Sequence, residues 1–156
     1  MAPQKVGTLV VVVLKARNLP NPSIYKQSPY CLVRFGGGGK RTKEDPRGGQ
    51  HPLWDEEIRF EIYDHDVAGH GSKTLRVGVF TAGKRVDERL GEGEIVIQDV
   101  LESGEFDDWV PLSLDGSQRG EVYVELTFFP AAKALAQRPS KLPANERLWQ
   151  PLSSPP

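Results

Sequence analysis

Residues Glu57 to Tyr63 read Glu-Ile-Arg-Phe-Glu-Ile-Tyr, and this alternation sets the class of fold. Ile58, Phe60 and Ile62 fall on one side of an extended chain, Arg59 and Glu61 on the other. A period of two describes a strand with one face in a core and one in water. Leu75 to Phe80 repeats it, with Leu75, Val77 and Val79 pointing inward. Leu9 to Leu14 (LVVVVL) has no alternation and is rich in β-branched residues. Bounded by Gly7 and by Asn18-Leu19-Pro20, it reads as a strand buried on both faces or nearly so. Tyr30 to Phe35 is another strand; Gly36 to Gly39 makes a turn, and Lys40 to Lys43 a short polar strand. Leu90 to Ile97, Trp109 to Leu114 and Val122 to Phe128 complete about eight strands with turn chemistry between them. That pattern predicts an all-β sandwich or barrel. One helical turn is expected over residues 98–104, closed by Gly104.

The chain of 156 residues is long enough for one domain and a tail. Its net charge of −1 gives no field that draws it to nucleic acid. The single cysteine, Cys31, excludes a disulfide scaffold and reads as core packing in a reducing compartment. Met1 to Gly7 lacks the basic and apolar blocks of a signal peptide, and Met1-Ala2-Pro3 lacks the glycine of a myristoylation site. Leu9 to Leu14 is too short to cross a bilayer. The expected location is cytosolic, or peripheral on the inner face of a membrane. After residues 6–129, taken as the domain, residues 130–156 read as a proline-rich tail or linker with poor packing. Ala131 to Ala136 suggests a short helix within it. The ending Ser-Ser-Pro-Pro reads as a cut inside a longer chain.

No catalytic arrangement emerges, so the chain is expected not to be an enzyme and to need no cofactor. Gly36 to Thr42 fails as a phosphate loop, since Arg34 and Arg41 occupy the positions that need glycine and a hydroxyl. Asp64-His65-Asp66, with His70, offers metal-ligand types, but Asp, His and Gly between two strands ordinarily form a solvated turn. In the tail, Pro139 to Pro143 and Pro151 to Pro155 are each one residue too long for a PxxP motif.

Several segments, in order, resemble the C2 domain family. Gly7 to Pro20 is similar to its opening strand and first loop. Ser28-Pro29-Tyr30 stands where the family has Ser-Asp-Pro-Tyr, and His51-Pro52-Leu53-Trp54-Asp55-Glu56 where it has Asn-Pro-x-Trp-x-Glu. Leu75 to Thr81, Gly91, Trp109 to Leu112 and Gly120 to Phe128 resemble its later strands. A full strand after Gly120, with none read before Gly7, resembles the circularly permuted (type II) form. Within the family the layout is similar to the N-terminal C2 domain of fungal cytokinesis ingression proteins. The resemblance implies an eight-stranded antiparallel β-sandwich.

It also implies a test for calcium, a hard cation needing six to eight oxygens, several of them carboxylate. Carried over one by one, the ligand positions fall at Pro22, Ser28, Thr81, Gly83 and Glu88 or Asp87. Only the last is acidic, and Lys84 and Arg85 have entered the third loop. Calcium independence is therefore expected. The tip loops, near residues 18–28, 44–56, 81–90 and 113–119, carry both signs of charge. A second candidate surface for a lipid or a protein partner comprises Arg34, Lys40, Arg41, Lys43, Arg59 and Arg76, with Lys84 and Arg85 at the tip. The resemblance implies cytokinesis or cortical scaffold proteins as partners, SH3-domain proteins reached through the chain beyond the domain, or an anionic phospholipid membrane. The expectation is a non-catalytic module acting through protein contacts, with phosphoinositide binding as the alternative.

Overall fold

The computed structural model describes residues 4–21, 27–67 and 74–131. Pro22, Lys26, His70 and the expected tail from residue 132 onward lie outside them. Eight strands form in chain order: β1 Lys5–Arg17, β2 Pro29–Phe35, β3 Gly38–Arg41, β4 Leu53–Tyr63, β5 Thr74–Thr81, β6 Glu88–Val96, β7 Glu105–Leu114 and β8 Ser117–Pro130. Two short helices join them, α1 Asp64–Val67 after β4 and α2 Gln98–Ser103 before β7.

Every pairing is antiparallel, in the order β3-β2-β5-β6-β7-β8-β1-β4. The order runs through one weak joint, because β6 and β7 share only the Glu92–Ser113 pair. There the sheet folds into two layers, β3-β2-β5-β6 and β7-β8-β1-β4, with the core between them. The strand after Gly120 lies between β1 and β7.

Alternation did its work as expected. Ile58, Phe60 and Ile62 are buried on β4, and Leu75, Val77 and Val79 on β5. β1 lies between β8 and β4, so both its edges are hydrogen-bonded, and Leu9, Val10, Val11 and Val13 are all buried. Phe35 and Phe60 meet edge to face across the layers, their centroids 6.2 Å apart. Cys31 is buried among these side chains.

Three local readings need adjusting. The polar strand β3 starts at Gly38, two residues before the basic run, because Gly36 takes φ +60 and completes the reversal with Gly37 alone. β4 begins at Leu53, so residues 53–56 belong to a strand and not to a tip loop. The Asp64–Val67 segment is a helical turn, and Asp66 is buried, not solvated. Its Oδ2 accepts the Tyr63 backbone N–H at 2.7 Å, which closes the end of β4. α2 forms where expected and ends on Gly104 at φ +92, whose N–H bonds to the Val100 carbonyl.

Candidate functional site

Strand direction puts four connections at one end of the sandwich: β1–β2, β3–β4, β5–β6 and β7–β8. Their backbones are laced together. Gln27 is buried, and its Nε2 donates to the carbonyls of Pro20 and Gly49 at 2.8 and 2.9 Å. Ser28 donates from Oγ to Pro46 and from its backbone N–H to the Thr81 hydroxyl. The motif around Trp54 serves the same lacing. Trp54 Nε1 donates to the Pro29 carbonyl at 3.0 Å, the Ala16 N–H bonds to Pro52, and Glu56 accepts the Lys43 N–H at 2.8 Å.

The third loop, residues 82–87, is drawn tight. Asp87 Oδ2 accepts the Tyr30 hydroxyl at 2.5 Å, and Oδ1 accepts the Gly83 N–H at 3.2 Å. These bonds, the Tyr30 one first, hold the Asp87 carboxyl below the usual range. Burial chiefly, then the bond to Asp87, pushes the Tyr30 hydroxyl up to about 12. Tyr30 is itself clamped: Phe80 stacks on it at 5.7 Å, and the Arg41 guanidinium lies 3.6 Å above its ring. A Cβ on Gly83 would stand 2.1 Å from the Val86 carbonyl oxygen, so no side chain fits there as the loop stands.

Of the positions that carry calcium ligands in the resembled family, Thr81 is buried with its hydroxyl engaged, Ser28 serves the lacing, and Gly83 has neither a side-chain oxygen nor room for one. Asp87 already holds two donors; Glu88 is exposed at the start of β6. This donor set does not fit a hard cation that needs several free carboxylate oxygens. Among the described residues no three His, Cys, Asp or Glu side chains converge as metal ligands.

The expected basic surface is split. Arg34 and Arg76 sit opposite each other on β2 and β5, and Arg41 stands two positions along on β3, all on the outer face of one layer. Arg59 is on the outer face of the other layer. Lys40, at the edge between them, donates to the Arg59 carbonyl and lies over the Phe60 ring. Each arginine has a carboxylate: Arg34–Glu92 at 3.2 Å, Arg76–Glu94 at 3.5 Å, Arg41–Glu44 at 3.5 Å and Arg59–Glu57 at 2.6 Å. Arg89 also reaches Glu92, at 3.6 Å. By contrast, Lys43, Lys84 and Arg85 have no ion pair among the described residues. Val86, beside the last two, is 77% exposed at the loop apex.

Sequence reading missed the Tyr30–Asp87 bond, the Gln27 stitch and the ion pairs that balance the arginines. Tyr30 was visible as the end of Ser-Pro-Tyr, but its partner is 57 residues away, so only the strand register brings them together.

Comparison with known proteins agrees with this architecture. The family model described as "C2 domain" matches residues 7–112. The chain is 32% identical over 145 residues to "Ingression protein fic1" of Schizosaccharomyces pombe, covering 92% of this chain and 52% of that protein. It is 31% identical over 129 residues to "Extended synaptotagmin-1" of Pongo abelii, covering 77% of this chain and 11% of that protein. It therefore spans about half of the first relative and about a tenth of the second. Among solved structures, the C2A and C2B domains of Extended-Synaptotagmin 2 in a calcium-bound form superpose with a TM-score of 0.71 at 21% identity, over 83% of this chain and 48% of that one. Human GIVD cytosolic phospholipase A2 superposes at 0.68 and 23%, over 85% of this chain and 17% of that one. At such identities the structures speak for the fold alone. The family model spans well over half of the sequence, along strands β1 to β7 of this sandwich, and the chain belongs to the C2 domain family.

Proposed function

We propose that this chain is a non-catalytic, calcium-independent C2 module of a cell-cortex or cytokinesis scaffold, acting through protein contacts at the plasma membrane. The observation that carries the reading is the charge balance of the layer faces. Arg34, Arg41, Arg76 and Arg89 stand against Glu44, Glu92 and Glu94, a surplus of one charge, to which Lys43, without an ion pair among the described residues, adds a second. At about 1 kcal/mol per cation near an anionic leaflet, that surplus is too small to hold a protein on lipid. A surface of ordered, paired charges instead suits a partner with a complementary pattern, where charge sets register and specificity. The closed third loop supports calcium independence, and the match to "Ingression protein fic1" along 92% of the chain supports the cortical setting.

One feature favours a second reading, anionic phospholipid binding: Lys84 and Arg85, without carboxylate partners among the described residues, directly precede exposed Val86. Sedimentation with phosphoinositide-containing liposomes at low salt separates the two. The protein-contact reading expects the chain to stay in the supernatant, with calcium or with chelator. Chelator-insensitive sedimentation that Lys84→Glu with Arg85→Glu abolishes would favour lipid. Sedimentation that requires calcium would contradict both.

A further inference from the structure

The end of the sandwich away from the tip loops carries an apolar groove. Val6 of β1, Leu101 of α2 and Phe128 of β8 line it, with Gln98 and Glu102 on its rim. Its volume is about 280 Å³, larger than the ~150 Å³ apolar cavity that can hold benzene. Val6, Leu101 and Phe128 pack on the core yet stay partly exposed, so the groove is a place where the core is incompletely covered. Water against such a surface is unfavourable by about 25 cal/mol per Å² of apolar area.

Strand β8 ends beside this groove. β8 ends at Pro130, which pairs with Gly7, next to Val6. The Phe128 N–H is held by the Gly104 carbonyl at the end of α2. The next residues, 131–137, read Ala-Ala-Lys-Ala-Leu-Ala-Gln, and Leu135 is the first large apolar residue after the strand. Residues 131–134 span at most about 14 Å when extended, enough to bring Leu135 back over the groove mouth. Alanines on both sides of Leu135 allow close approach, and Lys133 in the same segment is opposite in charge to Glu102 on the rim. The wider charge is complementary too. Residues 132–156 hold four basic residues and one acidic, whereas the body up to Ala131 holds sixteen basic and twenty acidic.

We propose that the groove is the docking site of this chain's own segment 131–137, with Leu135 seated against Val6, Leu101 and Phe128. Docking there directs whatever follows away from the tip loops and leaves the tip free for a partner. The proposal does not depend on which partner the tip binds.

A double-mutant cycle in the 156-residue chain tests it. Leu135→Ser, Leu101→Ala and their combination are unfolded in denaturant, and methyl spectra of Val6 and Leu101 are recorded for the parent and for Leu135→Ser. The expected result is a lower midpoint for each single variant, a double variant less affected than the two losses added, and shifted Val6 and Leu101 methyls in Leu135→Ser. If Leu101→Ala folds too poorly, Val6→Ala takes its place. Strict additivity, or Leu135→Ser methyls that match the parent, would overturn the proposal. So would methyl shifts that vanish on dilution, since those would assign the groove to a second copy of the chain.

Discussion

Placing a carboxylate at residue 83 should damage the fold before it can help any ion. The Cβ that Gly83→Asp introduces would lie 2.1 Å from the Val86 carbonyl oxygen and 3.2 Å from its carbon. The first distance is far inside van der Waals contact, and the obstacle is backbone, which cannot swing away as a side-chain tip can. The loop must open, giving up the bond from the Gly83 N–H to Asp87. Overpacking of this kind costs about 1–3 kcal/mol. For a chain of this length each kcal/mol lowers the melting midpoint by about 2–4 °C, so a fall of about 2–12 °C is expected. The clash belongs to Cβ, so Gly83→Ala should lose nearly as much as Gly83→Asp. Gly37→Ala is the control: a Cβ there meets nothing within 4 Å, and its midpoint should hold or rise slightly. Differential scanning fluorimetry or calorimetry reads all three. A Gly83→Ala midpoint within 1 °C of the parent would refute the claim that the third loop is closed around this residue.

The Tyr30–Asp87 bond predicts a further pattern. Tyr30→Phe should speed hydrogen exchange of residues 82–87 and lower the midpoint, leaving β1 and β8 protected. Asp87 has a lowered pKa, so its contribution is present above about pH 4 and is lost as pH falls through the lower folded value. Tyr30, raised to about 12, contributes below about pH 10 and loses that contribution as pH rises toward its folded value. The difference between parent and variant should therefore be flat from pH 5 to 9 and shrink on either side; a difference that changes between pH 6 and 8 would assign the bond's effect to another group. Cys31, fully buried and pushed up to about 12 by that burial, should resist a thiol reagent at pH 7.5 in the native protein and react fully once denatured. Prompt labelling of the native chain would contradict its place in the core.

Much of the fold was legible in local chemistry. The period-two runs of β4 and β5 and the unbroken β-branched run of β1 each mark an environment that a strand creates, and those strands formed where expected. Glycines marked reversals, although the one at Gly36 is tighter than the run of four suggests. The site was legible only as residue types. The absence of acidic side chains at 81 and 83 was plain, because each position is judged by its own side chain. Charge balance was not, since Arg34 and Glu92 lie 58 residues apart and meet only through the register of β2, β5 and β6. The same holds for Tyr30 and Asp87. A basic patch read from sequence counts cations; only the folded register shows which of them already have partners.

In the function proposed above, the tip is a closed surface that works without calcium. Calcium titration of the 156-residue chain, followed by amide NMR shifts of residues 81–88, tests it most directly. No saturable shift is expected up to millimolar calcium, with the Asp87 and Gly83 amides unmoved. Saturable shifts confined to this loop with a submillimolar midpoint would contradict it.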